Sequence, residues 1–600
     1  MCGIAGIIEP DSPTAVLEAA LGRMQAALCH RGPDDRGIYL SESGTAGLAH
    51  TRLSILDPSS AGHQPMTTPD GRFTIVFNGE IYNFRELGDR LAADGVDFRS
   101  RSDTEVLLHL YARKGADCVA GLRGMFAFAV WDDLEQSCFL SRDPLGIKPL
   151  YYAHSPTRLV FASELRAALA PGLIEKRLNA SGVAGYFETG TVPEPETLVR
   201  GVRCLEAGAT LSWKAGDLKR RQYWSLQFLS GQEANGAVAR VRDALLDSVR
   251  HHFVSDVPVG VFLSGGIDST AIVALSRAIG QQDLRTFSIS FDDPKFNEGD
   301  ISQRTSERFA TRHADWRLDP ATGRKLFEEF LKCLDQPSID GFNTFTVSRF
   351  AHDQGMKVVL SGLGADELFG GYPSFQQVPR MVRWSRGLGA VPPLRSLAGK
   401  ILGGNGRPQL RRLGSFLCQP ATMLSAYRAY RGVYPTAEAQ VLAAKFAGIE
   451  SKPIAEPTRA GAQQPTEEDE VSALELQLYM RNQLLRDSDV MSMAWGLELR
   501  VPFVDRALLE SIACVPASVR LRAGKKMLLE AVPEVPEWVW NRPKRGFVFP
   551  FEQWLAGDWK ELFEATAKRS PVQAQTWYQK WSLFVFERWC AGLKIPLPAG

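Results

Sequence analysis

The segment Val259-Gly260-Val261-Phe262-Leu263-Ser264-Gly265-Gly266-Ile267-Asp268-Ser269-Thr270 constrains the fold of this chain more than any other. An apolar run ends in paired glycines, and a helix-compatible stretch to Ile279 follows at once. A helix entered this way leaves its first backbone N–H groups without intrahelical partners, at its positive end, where anionic oxygens are favoured. Two more apolar runs, Leu284 to Phe291 and Lys357 to Leu360, follow helical spacing at Val238, Val241, Ala244, Leu245 and Val249. Buried strands that alternate with helices predict a doubly wound parallel α/β layer with added helices beyond residue 370. No lysine follows the glycines, so the turn is not a Walker loop. The Ser264 and Ser269 hydroxyls would join the free N–H groups in cradling phosphate, and Asp268 suits Mg²⁺, which takes hard oxygen ligands.

The first part of the chain has another texture. Arg72 to Phe77, Met125 to Trp131, Ser137 to Ser141 and Arg158 to Ala162 read as short strands between Gly, Pro and Asp turns, with few helices. Six hundred residues exceed one core. We expect two domains, 2–205 and 206–600, joined near Val192-Pro193-Glu194-Pro195-Glu196-Thr197, with a small strand pair following the junction. Gly, Pro and Arg predict a loop over 384–413, and prolines another over 451–470.

Lys plus Arg (69) nearly cancel Asp plus Glu (68), so no overall field favours nucleic acid or an anionic membrane, and small-molecule ligands are expected. The nine cysteines form no CxxC pair and no metal spacing, which fits reduced thiols. The N-terminus lacks a basic-then-apolar signal, and apolar runs such as Met125 to Trp131 are far short of a membrane span. The expectation is a cytoplasmic protein that does not cross a membrane.

Cys2 stands behind the initiator methionine in Met1-Cys2-Gly3-Ile4-Ala5-Gly6. Loss of Met1 would leave a thiol and a free α-amino group on one residue, and an α-amine titrating near pH ~8 can take the thiol proton. Asn78-Gly79-Glu80 offers a side-chain amide beside a glycine N–H, two donors for an oxyanion, although Asn-Gly is also the commonest hairpin turn. Arg52 can clamp an α-carboxylate and Asp103 can hold an α-ammonium. Arg31, in the turn His30-Arg31-Gly32-Pro33-Asp34, is placed to order such a site.

Read jointly, these residues resemble the class II, N-terminal-nucleophile glutamine amidotransferases. That likeness implies an αββα sandwich in which Cys2 is the nucleophile and its own amine the base. Asn78 and Gly79 would form the oxyanion hole, and Arg52, Glu80 and Asp103 would bind glutamine. The loop Ser264 to Ser269 is similar to that of ATP pyrophosphatases. Together with Ser361-Gly362-Leu363-Gly364-Ala365-Asp366-Glu367 and Arg542-Pro543-Lys544-Arg545-Gly546-Phe547, the motif order resembles glutamine-hydrolysing asparagine synthetase of the bacterial B type over nearly the whole chain. The resemblance implies that Leu263, Ser264, Gly265, Gly266, Asp268, Ser269, Ile289, Ser361 and Gly362 contact ATP. It places Mg²⁺ on Asp268 and Asp366, and Lys544 on the reacting phosphates. Ammonia freed at Cys2 would travel inside the protein to an acyl-adenylate, giving an amide, AMP and pyrophosphate. The partners are then glutamine, ATP and a carboxylate acceptor, and a homodimer is compatible with this reading.

One position departs from the pattern. Leu363 stands where asparagine-forming members usually carry glutamate, and leucine cannot handle a proton. The stretch Leu334-Asp335-Gln336-Pro337-Ser338-Ile339-Asp340-Gly341 also differs from the expected aspartate-binding version, its acids reading as turn caps. The acceptor is aspartate by family default, or another acid such as a sugar uronate, a peptide or a natural-product intermediate. Intramolecular amide closure, as in β-lactam synthetases, needs no glutamine and fits the complete set of glutaminase residues less well. Intact Cys2 and the intact phosphate loop argue against a non-catalytic relative. Asp489, Glu498 and Arg500, mixed into an apolar helix, read as a structural polar network.

Overall fold

The computed structural model describes residues 2–10, 12–228, 234–293, 297–388, 392–449, 466–542, 549–557 and 559–598. The N-terminal half holds two antiparallel six-stranded sheets. One runs Arg203–Cys204, Tyr151–Ser155, Arg158–Ala162, Gly3–Ile8, Ala46–Arg52, Asp35–Leu40 in spatial order. The other runs Asp217–Gln222, Ala209–Lys214, Ser137–Arg142, Gly124–Asp132, Phe73–Ile81, Met66–Thr67. Ile4, Leu48, Val76, Ala127 and Trp131 fill the space between them. The helix Thr14–Ala27 covers the outer face of the first sheet, and the helices Phe84–Ala93 and Asp103–Lys114 cover the second. Every residue of the Gly3–Ile8 strand is therefore buried, sealed by a helix on one face and a sheet on the other. This is the αββα sandwich.

The second sheet continues past residue 205. Ala209–Lys214 pairs with Ser137–Arg142, and Asp217–Gln222 pairs in turn with Ala209–Lys214, so the small strand pair expected after the junction completes the N-terminal sheet.

The C-terminal half is built on a wholly parallel five-stranded sheet, ordered Arg312–Arg317, Arg285–Ser290, Val259–Phe262, Val358–Leu360, Glu498–Arg500. Helices carry the rest of it. The segment expected as a loop over 384–413 lies largely in helices, Ser374–Leu388, Pro392–Gly403 and Pro408–Leu417. Its glycines serve helix contact rather than turns: a Cβ on Gly414 would sit 2.4 Å from the Gly403 backbone nitrogen, and one on Gly399 2.6 Å from the Cys418 sulfur. Of the second expected loop, 467–470 begins the helix Glu467–Leu474, capped by the Thr466 side chain, while 451–465 lies outside the described residues. Among the described residues no helix is long and apolar enough to cross a membrane.

Candidate active sites

Five of the six expected glutaminase residues, Cys2, Arg52, Gly79, Glu80 and Asp103, line one small pocket, and Asn78 joins them through a hydrogen bond to Cys2. Asn78 and Gly79 form no hairpin. They lie inside the Phe73–Ile81 strand, opposite Ala127 and Phe126. Asn78 Oδ1 accepts the Cys2 backbone N–H at 3.0 Å, while the buried Nδ2 has no acceptor at all. Buried donors are ordinarily satisfied, so an orphan donor beside a thiol marks the place where an oxyanion can sit. Gly79 is fixed by contact: a Cβ there would fall 2.1 Å from the Met125 carbonyl oxygen.

Arg52 cannot swing. Its Nη1 donates to the Ser59 carbonyl at 2.9 Å and its Nη2 to those of Leu56 and Asp57 at 3.2 and 2.5 Å. Gly62 lies so close over the guanidinium that a Cβ would come within 2.0 Å of Nη2. Burial pushes the Cys2 thiol up, opposed by the nearby amino terminus, the Leu53 N–H and Arg52. Asp103, the first residue of its helix, accepts the Ile81 N–H at 2.9 Å, yet burial raises its carboxyl to about 7. Burial and the Glu498 carboxylate lift Glu80 well above the usual carboxylate range.

The second site forms where three loops meet. Gly265, at φ +72°, turns the chain from the Val259–Phe262 strand into the helix Ile267–Ala278. The Ser264 N–H donates to Ser269 Oγ at 3.2 Å, which closes the loop on itself. Gly362 packs on the start of that helix: a Cβ would lie 2.9 Å from the Ser269 nitrogen and from the Asp268 carbonyl carbon. The Ser361 N–H is held by the Arg500 carbonyl at 2.8 Å. Leu263 and Ile289 are buried at the ends of adjacent strands. Lys544 lies outside the described residues.

Asp268 and Asp366 come together around a cation that the sequence reading missed. Lys525 Nζ lies 2.6 and 2.7 Å from the two Asp268 oxygens and also pairs with Asp366. Burial alone would lower the Lys525 pKa, but the two aspartates raise it. The two carboxylates thus converge on one positive charge, as a hard divalent cation requires of its donors, so the pair fits Mg²⁺. The next residue, Glu367, turns elsewhere: burial and Asp366 raise it to about 8, and Tyr372 donates to it at 2.9 Å. The only outward sign of Lys525 in the sequence is a lysine pair after Gly524, too common a pattern to single out.

The residues read as a structural network connect the two sites. Arg31, fully buried, donates to the Cys2 carbonyl at 3.0 Å, to Glu164 at 2.9 Å and to Asp489 at 2.8 Å. Lys148 donates to the other oxygen of Asp489 at 3.1 Å. Arg500 Nη2 lies 3.4 Å from Glu80, while its own carbonyl receives Ser361. Asp335 caps the first turn of the N-terminal helix Leu165–Leu169, accepting the Leu165 and Arg166 N–H groups at 2.8 and 2.9 Å. Asp340 accepts the Gly341 N–H at 2.8 Å in the turn before the helix Phe342–Asp353.

Two family models match the chain, one described as a glutamine amidotransferase domain over residues 1–224, the other as asparagine synthase over residues 240–588. The chain belongs to the glutamine-hydrolysing asparagine synthetase family. It is 32% identical over 602 residues to asparagine synthetase [glutamine-hydrolyzing] 1 of Bacillus subtilis, covering 98% of this chain and 93% of that protein. It is 34% identical to a putative asparagine synthetase [glutamine-hydrolyzing] of Mycobacterium bovis, with 95% and 91% covered. A fungal relative, amidase chry2 of Gibberella zeae, is 27% identical with 93% and 90% covered. Like other members of the asparagine synthetase family, the chain is a glutamine-hydrolysing ligase, and the family uses ATP.

Proposed function

We propose that this enzyme hydrolyses glutamine at Cys2 and delivers the ammonia to a carboxylate activated as its adenylate. The observation that carries this reading is one continuous apolar cluster running between the two sites. Leu53, on the wall of the thiol pocket, packs into it with Ile55, Tyr82 and Met125, and the same cluster contains Val261, Leu263 and Leu360 of the nucleotide loops. An apolar route through such a cluster would suit ammonia, because contact with water at neutral pH converts most of it to unreactive ammonium.

In this mechanism the Cys2 thiol attacks the glutamine amide carbon, with the α-amine freed by loss of Met1 accepting its proton and passing it to the amide nitrogen, so that the C–N bond breaks, ammonia leaves, and water then cleaves the thioester to release glutamate. Asn78 Nδ2 and the Gly79 N–H hold the oxyanion. Arg52 takes the substrate α-carboxylate and Asp103 its α-ammonium, beside Glu80. At the second site Ser264, Gly265, Gly266 and Ser269 hold the leaving pyrophosphate, with Leu263, Ile289, Ser361 and Gly362 around the nucleotide and Lys544 on the reacting phosphates. Asp268 and Asp366 would hold Mg²⁺, which neutralises phosphate charge when bound, and Lys525 would yield that place to it.

Aspartate is the acceptor by default, from the names of the relatives. A second reading, a different carboxylic acid, is favoured by Leu363, which is half-buried against the apolar cluster and supplies no base. Asp335 and Asp340 do not replace it, being committed to capping a helix and a turn. Pyrophosphate release with ATP, glutamine and either aspartate or a panel of carboxylic acids separates the two. Release with aspartate alone establishes asparagine formation, and release with another acid but none with aspartate overturns the default. Cys2→Ala is expected to abolish glutamine use yet keep ammonia-dependent amidation; loss of both refutes the two-site scheme.

A further inference from the structure

Between the two halves lies a cavity of about 620 Å³ that none of the steps above uses. Its N-terminal wall includes Arg203 and Trp224, and its C-terminal wall includes Tyr427, Arg428, Tyr479 and Arg481. Tyr479 and Arg481 sit on Glu475–Leu485, a π-helical stretch of eleven residues. π-helical turns are rare and concentrate at functional sites, because they sacrifice regular backbone bonding to place side chains that an α-helix would not.

The charge of this cavity is unbalanced. Five arginines line it against two glutamates, each paired through one oxygen: Glu194 accepts from Arg142 at 2.7 Å, and Glu206 lies 3.0 Å from Arg220. Arg431 is paired with Glu475 at 2.9 Å. Among the described residues no carboxylate lies within 4.0 Å of the guanidinium nitrogens of Arg203, Arg428 or Arg481. Arg481 is the telling one. Its Nε is sealed from solvent and bonds to nothing, and burial pulls its pKa down. Glu194 offsets this cost only in part, so a counter-charge that arrives with a ligand would complete the site. The volume is that of a small-molecule site, and Trp224, Tyr427 and Tyr479 supply aromatic surface for the body of such a molecule.

We propose that this interdomain cavity binds an organic polyanion, a molecule carrying two or more carboxylates on a compact body, with Arg481 as its central anchor. Two sources share that chemistry. Tyr479 has its ring 6.0 Å from that of Tyr372, which bonds Glu367 next to Asp366, so the ligand lies one side-chain layer from Glu367 and its neighbour Asp366. It is therefore either the carboxylate acceptor reaching in from the synthetase site or a separate effector held between the domains. Binding itself does not rest on the proposed amidation; only the acceptor arm does.

Calorimetric titration of the full-length protein with tricarballylate and with digalacturonate tests the proposal. Saturable one-to-one binding is expected for at least one probe, weakened about tenfold or more in Arg481→Met, as loss of a charge-assisted contact implies. The unliganded Arg481→Met protein should melt no lower than the parent, because it loses a half-buried cation whose Nε has no acceptor. No saturable binding, undiminished binding in the variant, or a melting point several degrees lower, which would reveal a structural partner for Arg481, each overturns the proposal. With ATP and glutamine added, amide and pyrophosphate formed from the bound probe mark the acceptor, and altered glutamine hydrolysis without amidation marks the effector. A bound probe that changes neither rate overturns both sources.

Discussion

In the proposed scheme the Asp103 carboxyl sets a pH requirement on glutamine capture. An aspartate holds a substrate ammonium only when ionised, and burial keeps this one protonated up to about 7. Burial and Glu498 lift Glu80 well above the usual range; burial would also raise Glu498, but Arg500, with Nε 2.5 Å away, holds it down at about 2. With a pKa of about 7, the ionised fraction of Asp103 is about 0.1 at pH 6 and about 0.9 at pH 8. The glutamine Kd should therefore fall about tenfold from pH 6 to pH 8, equivalent to about 1.4 kcal/mol. Cys2→Ala, which binds without turnover, allows that Kd to be measured by calorimetry, and below pH 7 binding should release close to one proton. Asp103→Asn keeps an acceptor for the Ile81 N–H and should bind weakly with no such slope. A flat Kd in the parent, or the same slope in Asp103→Asn, refutes the assignment. The sign for stability is opposite. Folded Asp103 keeps a proton that an unfolded aspartate loses near 3.8, so its contribution to stability declines as pH rises through that window to about 7.

Asn78→Ala removes the orphan donor and the acceptor of the Cys2 N–H together. Glutamine hydrolysis should lose about 10²–10³ in kcat, with ammonia-dependent amidation unchanged in the same preparation; a kcat within a few-fold of the parent would place the oxyanion elsewhere. Asp489→Leu leaves Arg31 and Lys148 facing an apolar side chain in a sealed interface. Chemical denaturation should show a loss of about 3–5 kcal/mol, and a variant within about 1 kcal/mol of the parent would mean that the two cations find other partners.

The sequence made legible what is local along the chain. Asn78 and Gly79 are neighbours on one strand, and Ser264 to Ser269 form one turn, so their chemistry is written in contiguous residues. Three strands of the parallel sheet were legible for the same reason, as short apolar runs, while the polar strands Arg312–Arg317 and Glu498–Arg500 at its two edges were not. Contacts that close over long separations were not. Lys525 meets Asp268 from 257 residues away, and nothing in Gly524-Lys525-Lys526 announces two carboxylates. Arg31 and Asp489, Glu80 and Arg500 are joined only because the two halves dock. The glycines of 384–413 misled because close helix crossing and turn formation ask for the same residue. The π-helical stretch carries no signal in residue type, since its pattern of apolar positions serves an α-helix equally well.

The Asp489 carboxylate has a consequence for how such enzymes can be taken apart or recombined. It neutralises two cations that belong to the other half of the chain, one of which donates to the Cys2 carbonyl. A glutaminase half cut free at the junction would carry Arg31 and Lys148 into water, with the Cys2 carbonyl anchored to an arginine that has lost one of its two acids. Grafting that half onto a foreign synthetase would succeed or fail on whether the recipient presents an acid at one position of one helix. The boundary drawn by the chain is therefore not a seam in the molecule, and shuffling must treat Arg31, Lys148 and Asp489 as a single heritable unit.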